Sequence, residues 1–295
     1  MRILHTSDWH LGQHFMGKSR QPEHEAFLQW LIQQINQYAV DVVLVAGDIF
    51  DTGTPPSYAR ELYNNFVVAL QHTGAQLVLL AGNHDSPAVL AESRELLACL
   101  NTHVIPTLNE ATILPLKNRQ GEVGALLAGL PFLRARDLLT SQAGQSLEEK
   151  QQALQKAIAD TYTTLYERAS AQSDTLPLIA TGHLTTVGAQ TSDSVREIYI
   201  GTLEALPTSA FPTFDYIALG HIHRPQTVGG HHHIRYCGSP IALSFDETTQ
   251  AKSVLLVDFS DNAISGGDAS GDTSSPDSMP EKAVFEKAVP HDSTQ

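Results

Sequence analysis

Residues Gln76-Leu77-Val78-Leu79-Leu80-Ala81-Gly82-Asn83-His84-Asp85 run from a short apolar segment directly into a polar cluster. The apolar part is branched-rich and bounded by turn residues, so it reads as a buried strand, with the polar cluster at its carboxyl end. The pattern recurs. Arg2-Ile3-Leu4-His5-Thr6 leads to Asp8-Trp9-His10, and Val42-Val43-Leu44-Val45-Ala46 leads to Gly47-Asp48. Further on, Leu178-Ile179-Ala180 leads to Gly182-His183, and Tyr216-Ile217-Ala218-Leu219 leads to Gly220-His221-Ile222-His223.

Helix-period stretches separate the first three runs. Residues 23 to 38 carry Phe27, Leu31 and Ile35 on one face, and residues 57 to 72 carry Leu62, Phe66 and Leu70. A third candidate, residues 87 to 100, carries Leu90, Leu97 and Leu100. This spacing suits burial against a sheet. Strand and helix therefore alternate, which predicts an α/β fold built on a mostly parallel sheet. Ligands bind such sheets off the carboxyl ends of the strands, so the polar clusters should converge on one crevice.

A fourth helix over residues 147 to 169, with Leu154, Ile158, Tyr162 and Leu165, separates the two halves. In the second half, strand-like runs at Ala125–Ala128, His233–Cys237 and Ser253–Phe259 predict a second sheet packed on the first. After Ser260 the composition turns to Gly, Ser, Asp, Thr and Pro. The expected organisation is a domain over residues 1 to 260 and a disordered low-complexity tail over 261 to 295.

The chain has 295 residues, of which 42% are hydrophobic, an ordinary content for a globular core. No run approaches the ~18 apolar residues of a membrane span, so no membrane partner is expected. A cleavable presequence would remove the candidate ligand at residue 8. The two cysteines, Cys99 and Cys237, suggest neither a disulfide framework nor a thiolate metal site, and a reducing cytoplasm is the expected location. The tail holds seven acids against two bases, which is five of the fourteen net negative charges. The remaining body is still acidic, a poor generic binder of nucleic acid.

The clusters contain the chemistry of a metal site. Asp8 and His10 are two residues apart, so in extended backbone both side chains would point the same way and grip one ion. Asp48 could bridge two cations through its two carboxylate oxygens. Asn83 offers a carbonyl oxygen; His183, His221 and His223 offer imidazole nitrogens. A mixed oxygen and nitrogen set suits Mn, Fe or Zn in a hydrolytic centre better than a structural zinc site. Gly47, Gly82, Gly182 and Gly220 each directly precede a ligand position, where lack of a Cβ permits close approach.

The ordered series D-x-H, G-D, G-N-H-D, G-H and G-H-x-H resembles the signature of the calcineurin-like metallophosphoesterases. Longer stretches, His5–Gly12, Ala46–Asp51, Gly82–Pro87, Glu197–Thr202 and Tyr236–Ile241, resemble the SbcD-type nuclease subunits within that family. The resemblance implies a two-sheet β-sandwich flanked by helices. It also implies two divalent ions, manganese in the SbcD type. One would be held by Asp8, His10, Asp48 and His223, the other by Asp48, Asn83, His183 and His221.

By the same resemblance, the substrate is DNA, cut as a double-strand 3′-to-5′ exonuclease and a single-strand or hairpin endonuclease. The partner is an SbcC-type coiled-coil ATPase, with a homodimer within the complex, and the setting is DNA repair, recombination and replication. The cations would neutralise phosphate oxygens, acidify a water and fix in-line attack. His84, assigned to neither metal, takes the position that serves the leaving group. Asp51 takes the position of a carboxylate that orients this histidine. SbcD-type proteins continue past the catalytic domain into a capping region. Here the low-complexity tail begins instead, so that region is expected to be absent.

Other polar features have plainer readings. His231-His232-His233 after Gly229-Gly230 is expected in a solvated hairpin turn. Asp85 is expected to cap the helix that starts near Ser86 and Pro87, and Trp9 to lie in the core. Arg134, Arg136, Arg196 and Arg224 could meet DNA phosphates, although exposed arginines usually only solvate a surface. The competing functions are a phosphodiesterase or phosphatase acting on other substrates, and a non-catalytic scaffold on the same fold.

Overall fold

The computed structural model describes residues 1–110, 112–138, 145–192, 195, 205–260 and 283–291, with backbone alone for 110, 136, 260 and 283–291. The chain order begins with β1 (Arg2–Thr6), a two-strand hairpin of β2 (His14–Phe15) and β3 (Lys18–Ser19), and α1 (Gln21–Gln37). It continues through β4 (Val42–Val45), α2 (Ser57–Gln71), β5 (Gln76–Leu80), two short helices α3 (Pro87–Ala91) and α4 (Arg94–Ala98), and β6 (Thr102–Ile105). The second half comprises β7 (Thr112–Lys117), β8 (Val123–Gly129), α5 (Ala135–Leu138), α6 (Leu147–Ser170), β9 (Leu178–His183) and β10 (Tyr216–Gly220). It closes with β11 (Gln226–Val228), β12 (His231–Tyr236), β13 (Lys252–Ser260) and β14 (Ala283–His291).

These strands form two six-stranded sheets, ordered β14-β13-β1-β4-β5-β6 and β11-β12-β10-β9-β8-β7. In the first, β1, β4, β5 and β6 are parallel and β13 is antiparallel to β1, so the run Ser253–Phe259 joins the first sheet rather than the second that it is expected to help form. In the second, β8, β9, β10 and β12 are parallel. Alternation along each strand builds the layers. In β4, Val42 and Leu44 join the core between the sheets with Leu127, Ile179 and Ala218. Val43 and Val45 face the other way, against Phe27 and Leu31 of α1 and Phe66 of α2. On the far side, Leu154, Ile158 and Tyr162 of α6 cover Ala180, Ile217 and Leu219 of the second sheet. The result is the α/β sandwich flanked by helices that the sequence predicts.

Three further expectations change. The helix over 87 to 100 is two short helices, interrupted at Glu92 and Ser93, with Ser86 capping the first through Val89 N–H at 3.5 Å. Residues 231 to 233 lie within β12, so the turn is Gly229-Gly230 alone, where positive φ suits glycine. Within the tail, 283–291 forms β14, paired antiparallel with β13 from Ala283↔Ser260 to His291↔Lys252. Its sequence contains Val284, Phe285 and Val289, a local strand former inside a segment whose average composition is that of disorder. Residues 261–282 and 292–295 lie outside the described residues, as does the stretch Glu197–Thr202 apart from its neighbours.

Candidate metal centre

The loops that follow β1, β4, β5, β9 and β10 meet at the carboxyl ends of the central strands. Asp8 N–H donates to Gly47 O at 3.0 Å, and His10 N–H to Asp48 O at 3.1 Å, so the first two loops run side by side. Asp8 is not in extended backbone, as its spacing from His10 suggested. Asp8, His10 and Asp48 have φ of 54°, 48° and 51°, and His221 has 92°. Left-handed backbone costs a non-glycine residue about 1–2 kcal/mol, so these loops hold their side chains in place against local preference.

The donors then group in space. Asp8, His10 and His223 form one buried set, and Asp48, His183 and His221 another; His10, Asp48 and His84 form a third, overlapping set. Asp48 Oδ2 lies 3.2 Å from His183 Nε2 and 3.6 Å from His10 Nε2. Asp8 Oδ1 lies 3.9 Å from His223 Nε2, and Asn83 Oδ1 lies 3.0 Å from His183 Nε2. Every residue read as a ligand from the sequence is therefore in this cluster. Two glycines permit close approach, Gly220 between the two sheets and Gly82 between the loops after β4 and β5 of the first. A Cβ on Gly220 would sit 2.0 Å from Ala46 O, and one on Gly82 would sit 2.1 Å from Asp48 Oδ1.

The donor atoms fit a cation. His10 Nε2 and His221 Nε2 are buried without a hydrogen-bond partner in the protein, a condition that costs roughly 1–3 kcal/mol per group unless something satisfies it. The charge balance agrees. Burial opposes ionisation of Asp48, but His183, His10 and His84 hold it well below the usual carboxylate range. Burial would lower His183, yet the charge and hydrogen bond of Asp48, then Asp8 and the Ala46 carbonyl, raise it to about 9. His10 is likewise raised against burial by Asp51, Asp48 and Asp8. His221 is lowered, by burial first and by His183 second, so it is held as a neutral donor.

Around these donors, backbone and side chains fix each ring. His183 Nδ1 donates to Ala46 O at 2.8 Å, and His84 Nδ1 donates to Asp51 O at 2.7 Å. Asp51 thus reaches His84 through its backbone carbonyl. Its carboxylate pairs instead with His10 Nδ1 at 3.2 Å. Asp85 is no helix cap. It accepts from Gly82 N–H, Phe50 N–H and Ile49 N–H at 2.8, 2.9 and 3.2 Å, tying the loops after β4 and β5 together. Burial, then the charge of Asp48, pushes it up to about 6. Trp9 is buried as expected, edge-on to Phe27 and Phe66.

Sequence patterns missed Glu247, a buried carboxylate that accepts from His223 Nδ1 at 3.1 Å. It sits in a short 3₁₀ turn, Phe245–Glu247, with no periodicity to mark it. Of the four arginines, Arg224 is exposed beside an open cavity of about 500 Å³ lined also by Thr191 and Asp246. Arg134 lies over the Phe132 ring at 6.0 Å. The side chain of Arg136, and Arg196 altogether, fall outside the described residues.

Residues 1–225 match the model of the calcineurin-like phosphoesterase family. Over 267 residues the chain is 60% identical to a protein of Escherichia coli (strain K12) named as the D component of nuclease SbcCD, covering 90% of this chain and 66% of that protein. A protein of the same name from Rhodobacter capsulatus is 38% identical over 275 residues, covering 89% of this chain and 67% of its own length. The chain thus spans about two thirds of the length of these curated relatives. Among solved structures, a dimetal phosphatase from Danio rerio superposes with a TM-score of 0.50 at 11% identity, covering 87% of this chain and 92% of that one. With a family match across three quarters of its length and the metal-donor cluster within the matched fold, the chain belongs to the calcineurin-like phosphoesterase family.

Proposed function

We propose that the chain is a metal-dependent DNA phosphodiesterase, the nuclease component of an SbcCD-type complex. The observation that carries this is the gathering of seven donors from both sheets into one buried cluster, two of them with unpartnered Nε2 atoms, in a chain 60% identical to a named nuclease component. Asp8, His10, Asp48 and His223 would hold one divalent cation, and Asp48, Asn83, His183 and His221 the other, with manganese the expected metal. When bound, such a pair neutralises phosphate oxygens and acidifies the attacking water.

The chain's own residues supply orientation and the proton. Asp48 joins the two donor sets, since one of its oxygens lies near both His10 and His183. His84 N–H donates to Asp48 Oδ1 at 2.8 Å, which places His84 beside the centre. Its Nδ1 proton is committed to Asp51 O, so a doubly protonated ring is needed to donate from Nε2 to the departing sugar oxygen. The substrate modes are 3′-to-5′ exonuclease action on duplex ends and endonuclease action on single strands and hairpins. The ATPase partner, a homodimer within the complex and a cytoplasmic role in DNA repair, recombination and replication belong to the same proposal. Among the described residues no helix is long and apolar enough to cross a membrane.

The test is cleavage of end-labelled linear duplex and hairpin DNA by the purified protein with Mn²⁺, beside His84→Ala and a metal-free control. Mn-dependent cutting that His84→Ala abolishes is the expected result. Turnover of a small phosphodiester or phosphomonoester with no cutting of DNA would favour a different substrate class.

A further inference from the structure

Behind His223 lies a buried ionic cluster that contributes nothing to the donor set. Glu247 has no exposed surface, and Lys252, at the start of β13, is 3% exposed. One carboxylate oxygen, Oε1, lies 3.1 Å from His223 Nδ1 and accepts from the Ser192 hydroxyl at 2.8 Å. The other, Oε2, accepts from Lys252 Nζ at 2.5 Å, Ser239 Oγ at 3.1 Å and Leu243 N–H at 3.1 Å. Lys252 Nζ also donates to the backbone carbonyl of His223 at 3.2 Å. Both ions therefore touch the same ligand residue, one through its ring and one through its main chain.

Burying such a pair costs several kcal/mol per ion, and apolar residues of similar volume often hold a fold as well. The charge calls for a local reason. His183 and His84 rest their Nδ1 protons on neutral backbone carbonyls, and His10 pairs with Asp51, whose side chain is 27% exposed. His223 alone among these four rings is backed by a fully buried carboxylate. We infer that Glu247 is a positioning residue for the metal centre. It holds His223 with its proton on Nδ1 and Nε2 presented to a divalent cation, while Lys252 braces the carboxylate from behind. An anion behind a ligating imidazole raises its basicity and fixes its orientation.

This rests on the metal-centre reading, so the test measures binding rather than cleavage. Mn²⁺ binding to the purified chain is followed by titration calorimetry and by the electron paramagnetic resonance signal of the Mn pair. The same is done for the charge-matched double variant Glu247→Gln with Lys252→Met. The expected result is a loss of about 10–100-fold in affinity at one of the two sites, with the paired-Mn signal replaced by that of isolated ions. Metal-free thermal melting close to wild type would accompany it. Two sites of wild-type affinity in the double variant would overturn the inference, because Glu247 would then serve only to neutralise Lys252 within the fold. A second measurement needs no variant: ¹⁵N-resolved spectra of His223 in the metal-free wild-type protein. A hydrogen-bonded Nδ1–H supports the inference; a ring with its proton on Nε2 alone overturns it. Wild-type protein that bound no Mn²⁺ would remove the metal-centre reading, and the ring spectrum would still decide what Glu247 does to His223.

Discussion

The two sheets contribute differently to the centre. Loops of the first sheet supply both carboxylates and the amide, together with His10 and His84, from backbone that is left-handed at Asp8, His10 and Asp48. Loops of the second sheet supply imidazoles only: His183 at the end of β9, and His221 and His223 just after β10. Two of the three spatial sets of donors nevertheless mix the sheets, with Asp8 and His10 beside His223, and Asp48 beside His183 and His221. The negative charge is thus concentrated on one sheet, while the other brings nitrogen donors alone. On the proposed assignment neither sheet would hold a complete site, and sheet-on-sheet packing would be part of the metal chemistry.

The sharpest way to break this division of labour is at its shared oxygen. Asp48→Ala should weaken binding of both cations by more than the ~10–100-fold that loss of an outer partner costs, measured as Mn²⁺ stoichiometry by calorimetry. One site left at wild-type affinity would show that Asp48 serves a single set. Next comes His84→Ala, expected to lose about 10²–10⁴-fold in turnover while both ions stay bound. If metal binding fell with it, His84 would belong among the ligands.

Contact between the sheets is tested by Gly220→Ala. The added methyl meets Ala46 O at 2.0 Å, a backbone atom that cannot turn away. A loss of about 3 kcal/mol is expected, read as a melting temperature lower by roughly 6–12 °C. An unchanged melting temperature would mean that the sheets tolerate separation. The smallest effect is a pH dependence. His183 is raised to about 9 in the folded metal-free protein, so below that pH a cation must displace its proton. Mn²⁺ affinity should fall by about tenfold per pH unit below about 9 and level off above it. The sign for folding is opposite. A raised histidine stabilises the metal-free fold below its unfolded value of 6.5, and that contribution is lost as pH rises through about 9. Flat Mn²⁺ affinity between pH 7 and 9 would separate His183 from the binding step.

The first sheet was the more legible from sequence for a physical reason. Its strands are continuous apolar runs joined by helices with clear 3.6-residue spacing, so Phe27, Leu31 and Phe66 announce the layer they cover. Strands β6 and β7 escaped because four to six residues such as Thr102–Ile105 carry too little pattern. The candidate donors were legible as motifs, but their geometry was not. Positive φ at Asp8 and His10 has no signature in residue type, and Asp85 and Glu247 act through backbone N–H groups and a buried lysine that only folding brings near. Strand β14 was hidden by averaging over a polar tail.

The position of β1 has a consequence for the making of this protein. It lies between β4 and β13, and Arg2 is clasped by Asp258 through bonds of 2.7 and 2.9 Å. At ~5–20 residues per second, translation of the roughly 200 residues between those neighbours occupies on the order of 10–40 seconds. Throughout that interval the nascent chain presents β1 with one edge unpaired, an open template for any passing strand. Lys252, which braces His223, arrives on the same late strand. The sheet around β1 and the support of the candidate centre are therefore completed by one event, the emergence of β13, and a ribosome stalled just before residue 252 would carry all seven proposed donors but no finished site.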